Sequence, residues 1–325
     1  MRSTRRCELA GTEAGSDSMI SVIIPVYDRQ ARAERALKSV LDQAPCGEHA
    51  VEVILVDDGS TPPIEVRDES GRVKVVRLAS NSGPAAARHA GILASSGELL
   101  AFLDSDDLWL PGKLAAQLRR FEVIDAATDG AGLLALVCSF YYPHRASGRL
   151  EARRPKASNS LSEFASGCWF APGSTLLMRR STYDAVGPFD PRLRRLEDLD
   201  WFIRFAQRGG ELHVDPSPMV VIAPSHSASF AVVSGCSDLV AEKFAPSRES
   251  RLAPSELSRL LAYLSLELGA AAWTEQRYAL AVLEVLRSFS RYPRLRLSLV
   301  DFWLRSRDIP PSVAAAFDDM TRGER

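Results

Sequence analysis

The chain is predicted to adopt an α/β fold: a doubly wound, mostly parallel sheet followed by a helical C-terminal appendage. Three observations predict this. Short apolar runs rich in β-branched residues alternate with stretches whose apolar residues recur every three or four positions, the order expected of a parallel sheet covered by helices. The runs are continuously apolar, as in strands buried on both faces. Three of the first four runs stop at acidic or turn-forming residues, and doubly wound sheets bind ligands beyond the carboxyl ends of their strands.

Residues 1–18 are polar and charge-mixed, lack the apolar stretch of a secretory leader, and read as a disordered lead-in. The first strand is 21–27 (SVIIPVY), and Ala33, Ala36, Leu37, Val40 and Leu41 trace one face of a helix after it. The second strand, 51–56, stops at Asp57-Asp58-Gly59-Ser60, and the third covers 73–78. A helix over 84–95 carries proline in its first turn, where the missing N–H has no intrahelical partner to lose. The fourth strand, 99–103, ends at Asp104, and a helix over 110–123 follows. Further strands are expected at 133–141, 174–178 and 219–222, with a polar, basic loop over 145–159. The helix at 196–207 has an acidic first turn, which suits the positive end of its dipole. Beyond Pro246 the chain becomes helical and rich in Leu, Ala and Arg.

The 325 residues suffice for one large α/β domain with an appendage. A formal net charge of -1 provides no global attraction to nucleic acid, which is therefore not an expected partner. Five cysteines, an odd number with no C-x-x-C pair, argue against a disulfide framework or zinc site and for a reducing cytoplasmic compartment. No run of about eighteen uncharged apolar residues occurs, so no spanning helix is expected.

The chemistry is expected where the strands end. Asp104, Ser105, Asp106 and Asp107 crowd carboxylates after a buried strand, and their repulsion is relieved by a divalent cation with oxygen ligands. Such an ion bridges to a diphosphate and stabilises it as a leaving group. Asp57 and Asp58 close a neighbouring strand, where an aspartate can accept from a base N–H. Gly83 opens a helix whose free N–H groups face an anion, with Arg88 one turn in, within reach of phosphate. Glu197 and Asp198 begin a second carboxylate centre with Trp201 as an apolar wall, which raises a carboxylate pKa toward general-base range. His226 is a further metal or phosphate ligand candidate. Each feature also has a plainer reading, since Asp is favoured in turns and helix caps, Arg on surfaces, and a lone His is often structural.

Six segments in order resemble the family-2 glycosyltransferases with the GT-A fold: SVIIPVYD (21–28), VILVDDGS (53–60), NSGPAAARHAGI (81–92), FLDSDDLW (102–109), GSTLLMRRSTYDAVGPFD (173–190) and LEDLDW (196–201). The resemblance covers roughly residues 19–230. It implies a GT-A-like catalytic domain over 19–235, with a nucleotide-binding part near 19–125 and an acceptor part near 126–235, followed by a helical region over 245–325. It implies that Pro25, Val26 and Tyr27 border the nucleoside and that Asp57 and especially Asp58 hold the base. Asp104, Ser105 and Asp106 would form the D-x-D motif, with Asp106 or Asp107 on Mn²⁺ or Mg²⁺. Asp198 would be the general base of an inverting transfer, with Glu197 beside the acceptor. The partners implied are a nucleotide-sugar donor, UDP-linked by family habit, and a glycan or lipid-linked acceptor, with surface polysaccharide or glycoconjugate assembly as the setting.

Two departures refine this. The helix motif reads Ala87-Arg88-His89 where the family usually ends in A-R-N, and no Q-x-x-R-W motif is present, which points to single addition rather than processive synthesis. A sugar nucleotidyltransferase would carry a glycine-rich loop where Pro25-Val26-Tyr27-Asp28-Arg29 stands. A catalytically silent nucleotide-sugar-binding or scaffold subunit of the same fold is the alternative from another class, and a transfer assay separates it. Between residues 275 and 308 the tail holds seven arginines against four acids. It reads either as a surface helix peripheral to the inner face of the membrane or, preferred, as an appendage packed on the catalytic domain with its arginines in water.

Overall fold

The computed structural model describes residues 19–43, 49–128, 130, 132–144, 148–224, 228–246, 252–294 and 303–321. The expected lead-in 1–18, His226 and residues 295–302 of the tail lie outside them.

The first half follows the apolar pattern closely. Strand β1 (Met19–Val26) leads to α1 (Gln30–Leu41), then β2 (Ala50–Asp57), β3 (Val73–Arg77), α2 (Pro84–Ala94), β4 (Leu99–Phe102), a short β5 (Leu108–Trp109) and α3 (Lys113–Ala127). Strands β3, β2, β1 and β4 are adjacent in that order and parallel. β1 thus has earlier chain on neither side: β2 and β3 lie on one flank and β4 on the other, and this reversal opens a crevice at the carboxyl edge. Register brings Val26 opposite Asp57 and Asp57 opposite Arg77, so the strand-end residues sit in one row.

The second half extends the sheet with mostly antiparallel strands. These are β6 (Leu134–Pro143), β7 (Leu150–Pro155) and β8 (Leu176–Arg179); β8 pairs with β4 and β6, and β7 with β6. Helices α4 (Leu161–Phe164), α5 (Pro172–Thr175), α6 (Arg180–Val186) and α7 (Glu197–Gln207) precede β9 (Glu211–Val221), which runs parallel to β6. Within the basic loop expected over 145–159, residues 150–155 form β7. Its alternation is hidden by charge, because Glu151 is buried in an ion pair with Arg153. The strand expected at 219–222 begins eight residues earlier, at Glu211.

Helices cover both faces. Ile20, Val22, Ile24, Leu114, Leu118 and Phe121 pack on the α1–α3 side. Ile23, Phe102, Phe164, Phe170, Trp201, Phe202 and Phe205 pack on the other. Each such buried side chain contributes about 1.5–3 kcal/mol. The tail comprises α8 (Phe230–Lys243), α9 (Pro254–Thr274), α10 (Tyr278–Arg291), β10 (Trp303–Ser306) and α11 (Pro311–Thr321). β10 adds to the sheet edge beside β7, an element with no sequence signal amid interleaved arginines. Helices α8 and α9 share a core with the outer face of α7 through Leu199, Ile203, Val240, Leu260 and Leu264.

Candidate active site

A cavity of about 430 Å³ opens at the carboxyl edge, between the ends of β1, β2 and β4 and the first turn of α7. Pro25, Val26, Tyr27, Asp58, Gly83, Arg88, Asp104, Ser105, Asp106, Asp107 and Glu197 all line it, so segments up to 172 residues apart in the chain converge there. A larger cavity, about 790 Å³, lies between α1 and residues 61–67 and holds none of these groups.

Both acids at the end of β2 organise loops. Asp58 accepts N–H groups of Ser82 (2.7 Å) and Gly83 (2.8 Å), which fixes the loop that opens α2. Burial raises its carboxyl above the usual range despite those bonds. Asp57, predicted beside it on a base, is buried away from the cavity. It accepts Ser60 N–H (2.8 Å) and Ile64 N–H (3.2 Å) and pairs with Arg77 on the neighbouring strand. Burial works to raise its carboxyl, but the Ser60, Ile64 and Arg77 interactions outweigh it and hold it low. Gly59 between Ser60 and Asp58 has φ +78, and a Cβ there would sit 2.6 Å from the Ser80 carbonyl carbon. Gly59→Ala is expected to cost about 2–4 kcal/mol, from a left-handed φ and an overpacked backbone. Urea unfolding checks this; a loss below about 1 kcal/mol would show that the Ser80 loop yields freely.

The expected phosphate contact, Arg88, has a different post. Its buried guanidinium is clamped between Asp104 (2.6 Å) and Glu197 (2.7 Å), two residues 93 positions apart in sequence that it ties together. Burial alone would lower its pKa; the two carboxylates reverse that and raise it. Gly173 makes the clamp possible, because a Cβ there would collide with the Asp104 carboxylate and lie 3.0 Å from the Arg88 guanidinium.

Asp106 pairs with Arg29 at 2.6 Å, with Arg32 at 3.6 Å. Asp107 is buried: Oδ1 accepts Ala223 N–H (2.8 Å) and Oδ2 accepts from the Ser174 hydroxyl (2.5 Å), so both oxygens tie the β4–β5 turn to its surroundings. Burial, then the charges of Asp106 and Asp104, push its carboxyl well up. Asp104 Oδ2 and Asp106 Oδ1 accept no hydrogen bond among the described residues. Hard carboxylate oxygens of this kind suit a divalent cation that takes its remaining ligands from phosphate and water. Among the described residues no three acidic, His or Cys side chains form a complete cage.

The turn into α7 is strained: Leu196 has φ +66, a conformation that costs a non-glycine residue about 1–2 kcal/mol. It aims Glu197 into the cavity, while Asp198, next in the chain, is half-buried and is not among the residues that line it. Among the described residues Asp198 accepts only the N–H of Leu199 (2.8 Å). Burial first, then the charge of Glu197, lifts its carboxyl to about 6. Trp201, expected as the wall beside this pair, is instead fully buried among Tyr183, Phe189 and Phe205 with its N–H on the Gly187 carbonyl. Its large apolar ring is better satisfied in the aromatic cluster on this face of the sheet than against a polar cavity.

Arg29, Arg194 and Arg195 also line the cavity, and the sequence reading passed over them. Arg194 donates to the Asn81 carbonyl (2.5 Å) and side chain (3.0 Å). Arg195 reaches Glu267 of α9 at 3.5 Å, and the Tyr263 hydroxyl donates to the same Glu267 (2.7 Å). The run Arg-Arg-Leu-Glu-Asp over 194–198 was the available signal.

The family model described as glycosyl transferase family 2 matches residues 21–187. An uncharacterized glycosyltransferase of Rickettsia conorii is 42% identical over 125 residues, 36% of this chain and 20% of that protein. The minor teichoic acid biosynthesis protein GgaA of Bacillus subtilis is 28% identical over 198 residues, 57% of this chain and 42% of that protein. The chain therefore spans between a fifth and about two fifths of the length of these curated relatives. The crystal structure of S. aureus TarS 1–349 superposes with a TM-score of 0.51 at 17% identity, over 87% of this chain and 91% of that one, a likeness of fold alone.

Proposed function

Because the chain belongs to glycosyltransferase family 2, with more than half its length matched by the family model, we propose that it is an inverting enzyme that moves one sugar from a nucleoside diphosphate donor to an acceptor hydroxyl. The observation that carries the reading is the convergence of Asp58, Asp104, Asp106, Arg88 and Glu197 on one cavity at the carboxyl edge of the parallel strands. The base would lie against Asp58 and the segment Pro25 to Tyr27. Asp104 and Asp106 would hold Mn²⁺ or Mg²⁺, which when bound offsets charge on the leaving diphosphate.

Of the two carboxylates at the start of α7, Asp198 is the better base. Glu197 is committed to Arg88, whereas Asp198 has one oxygen without a hydrogen bond among the described residues and a carboxyl poised near 6. In the step proposed, the acceptor oxygen bonds to the anomeric carbon as its proton passes to Asp198. The bond from that carbon to the diphosphate oxygen breaks, and the nucleoside diphosphate leaves with the electron pair. A glycan or lipid-linked acceptor in surface polysaccharide or glycoconjugate assembly fits the kind of relative found in Bacillus subtilis.

The test is binding and turnover of a panel of nucleotide sugars, UDP-linked donors first, with and without Mn²⁺, on wild type and Asp106→Ala. Metal-dependent turnover of one donor, reduced on the order of 10²–10³-fold in the variant, is expected. Failure of the folded wild type to bind any donor would overturn the reading in favour of a silent scaffold.

A further inference from the structure

Helix α10 is built inside out. It packs on α9 through a narrow stripe of Ala281, Glu284 and Ser288, while its large apolar residues face outward. Val282 is 55% exposed, Leu286 60% and Phe289 63%; Tyr278, Leu283 and Val285 join them, with Trp273 at the end of α9 edge-on to Tyr278. Tyr278, Val282, Val285 and Phe289 follow one another at steps of four, three and four. That spacing is the seam of two helices packed side by side. The three exposed aromatics present about 100 Å² each, given 150–250 Å² for such side chains. With the four aliphatic residues, each presenting less than an aromatic, the exposed apolar area comes to roughly 600 Å², about three quarters of the roughly 800 Å² that each partner of a standard interface buries.

The arginines of α10 do not share this face. Arg287 bonds Glu284 (2.5 Å), and Arg291 bonds the Ser265 hydroxyl (2.7 Å) and the Leu261 carbonyl (3.1 Å) of α9. Arg287 and Arg291 are thus paired along the flank of α10 and not placed on the seam, so two copies brought seam to seam meet without like charges between them.

We propose that a second copy of this chain docks on the outer face of α10, seam against seam about a two-fold axis. The site chemistry proposed above is not needed for this, and the test is independent of any donor. Light scattering and sedimentation equilibrium of the full chain over a concentration series should show a dimer. Val282→Glu with Phe289→Glu should raise the dissociation constant at least a hundredfold with an unchanged circular dichroism spectrum, while Leu93→Glu, exposed on α2, should not. A monomer at every concentration, or a dimer that survives the double substitution, overturns the proposal. So does sedimentation of monomeric protein with anionic phosphatidylglycerol vesicles that the double variant loses, which would identify a lipid surface as the occupant.

Discussion

Arg88→Met is expected to remove about 3–5 kcal/mol of stability, the usual cost of stripping one partner from a buried ion pair. The residue is 7% exposed, and its guanidinium holds Asp104 and Glu197 on opposite sides. Methionine fills much of the volume, so the loss comes from two carboxylates left facing each other without a cation. Glycosyl transfer should fall with stability, because the same guanidinium positions the end of β4 against the first turn of α7. Urea unfolding and turnover at saturating donor measure the two effects. Adding Glu197→Gln to Arg88→Met should recover part of the stability without recovering activity. A single-substitution loss below about 1 kcal/mol would mean that water or a bound ion already neutralises these carboxylates.

Asp198→Asn should separate function from stability in the opposite sense. Removing a general base lowers turnover by roughly 10²–10⁴-fold. Stability at neutral pH should rise, since asparagine carries no charge into a half-buried site beside Glu197. Burial, then the charge of Glu197, raises the carboxyl to about 6 from its ordinary value of 3.8. A raised carboxyl favours the fold fully below the unfolded value, and that contribution is lost as pH climbs through about 6. The stability gap between variant and wild type should therefore widen from pH 5 to pH 7, by urea titration at each pH. The wild-type rate should increase through about pH 6 as the base ionises. A flat rate profile there, or an asparagine variant with near-wild-type turnover, would move the role of base elsewhere.

Glu197→Gln provides the contrast. Because Glu197 pairs with Arg88, its loss should reduce stability as well as rate, whereas Asp198→Asn reduces rate alone. Two adjacent acids that read alike in sequence are thereby predicted to respond with opposite sign in an unfolding experiment.

The parallel strands and the neighbourhoods in which they end were legible in the pattern of apolar residues. Strands buried on both faces must be continuously apolar, so the runs over 21–27, 51–56 and 99–103 were visible in the sequence, each ending within one residue of the observed strand ends at Val26, Asp57 and Phe102. So was the convergence of acids on one edge, because parallel order puts successive strand ends on the same side. Tertiary structure alone decided which of those acids face the cavity and what each one does there. Asp57 turned inward to Arg77, Asp107 gave both oxygens to protein donors, and Arg88 joined residues from opposite halves of the domain. Trp201 went to the core, and 150–155 became a strand despite its charges. The physical reason is common to all of these. Local pattern records whether a segment is buried, but the orientation of a polar side chain is set by partners far along the chain, and those meet only when the helices have packed on the sheet.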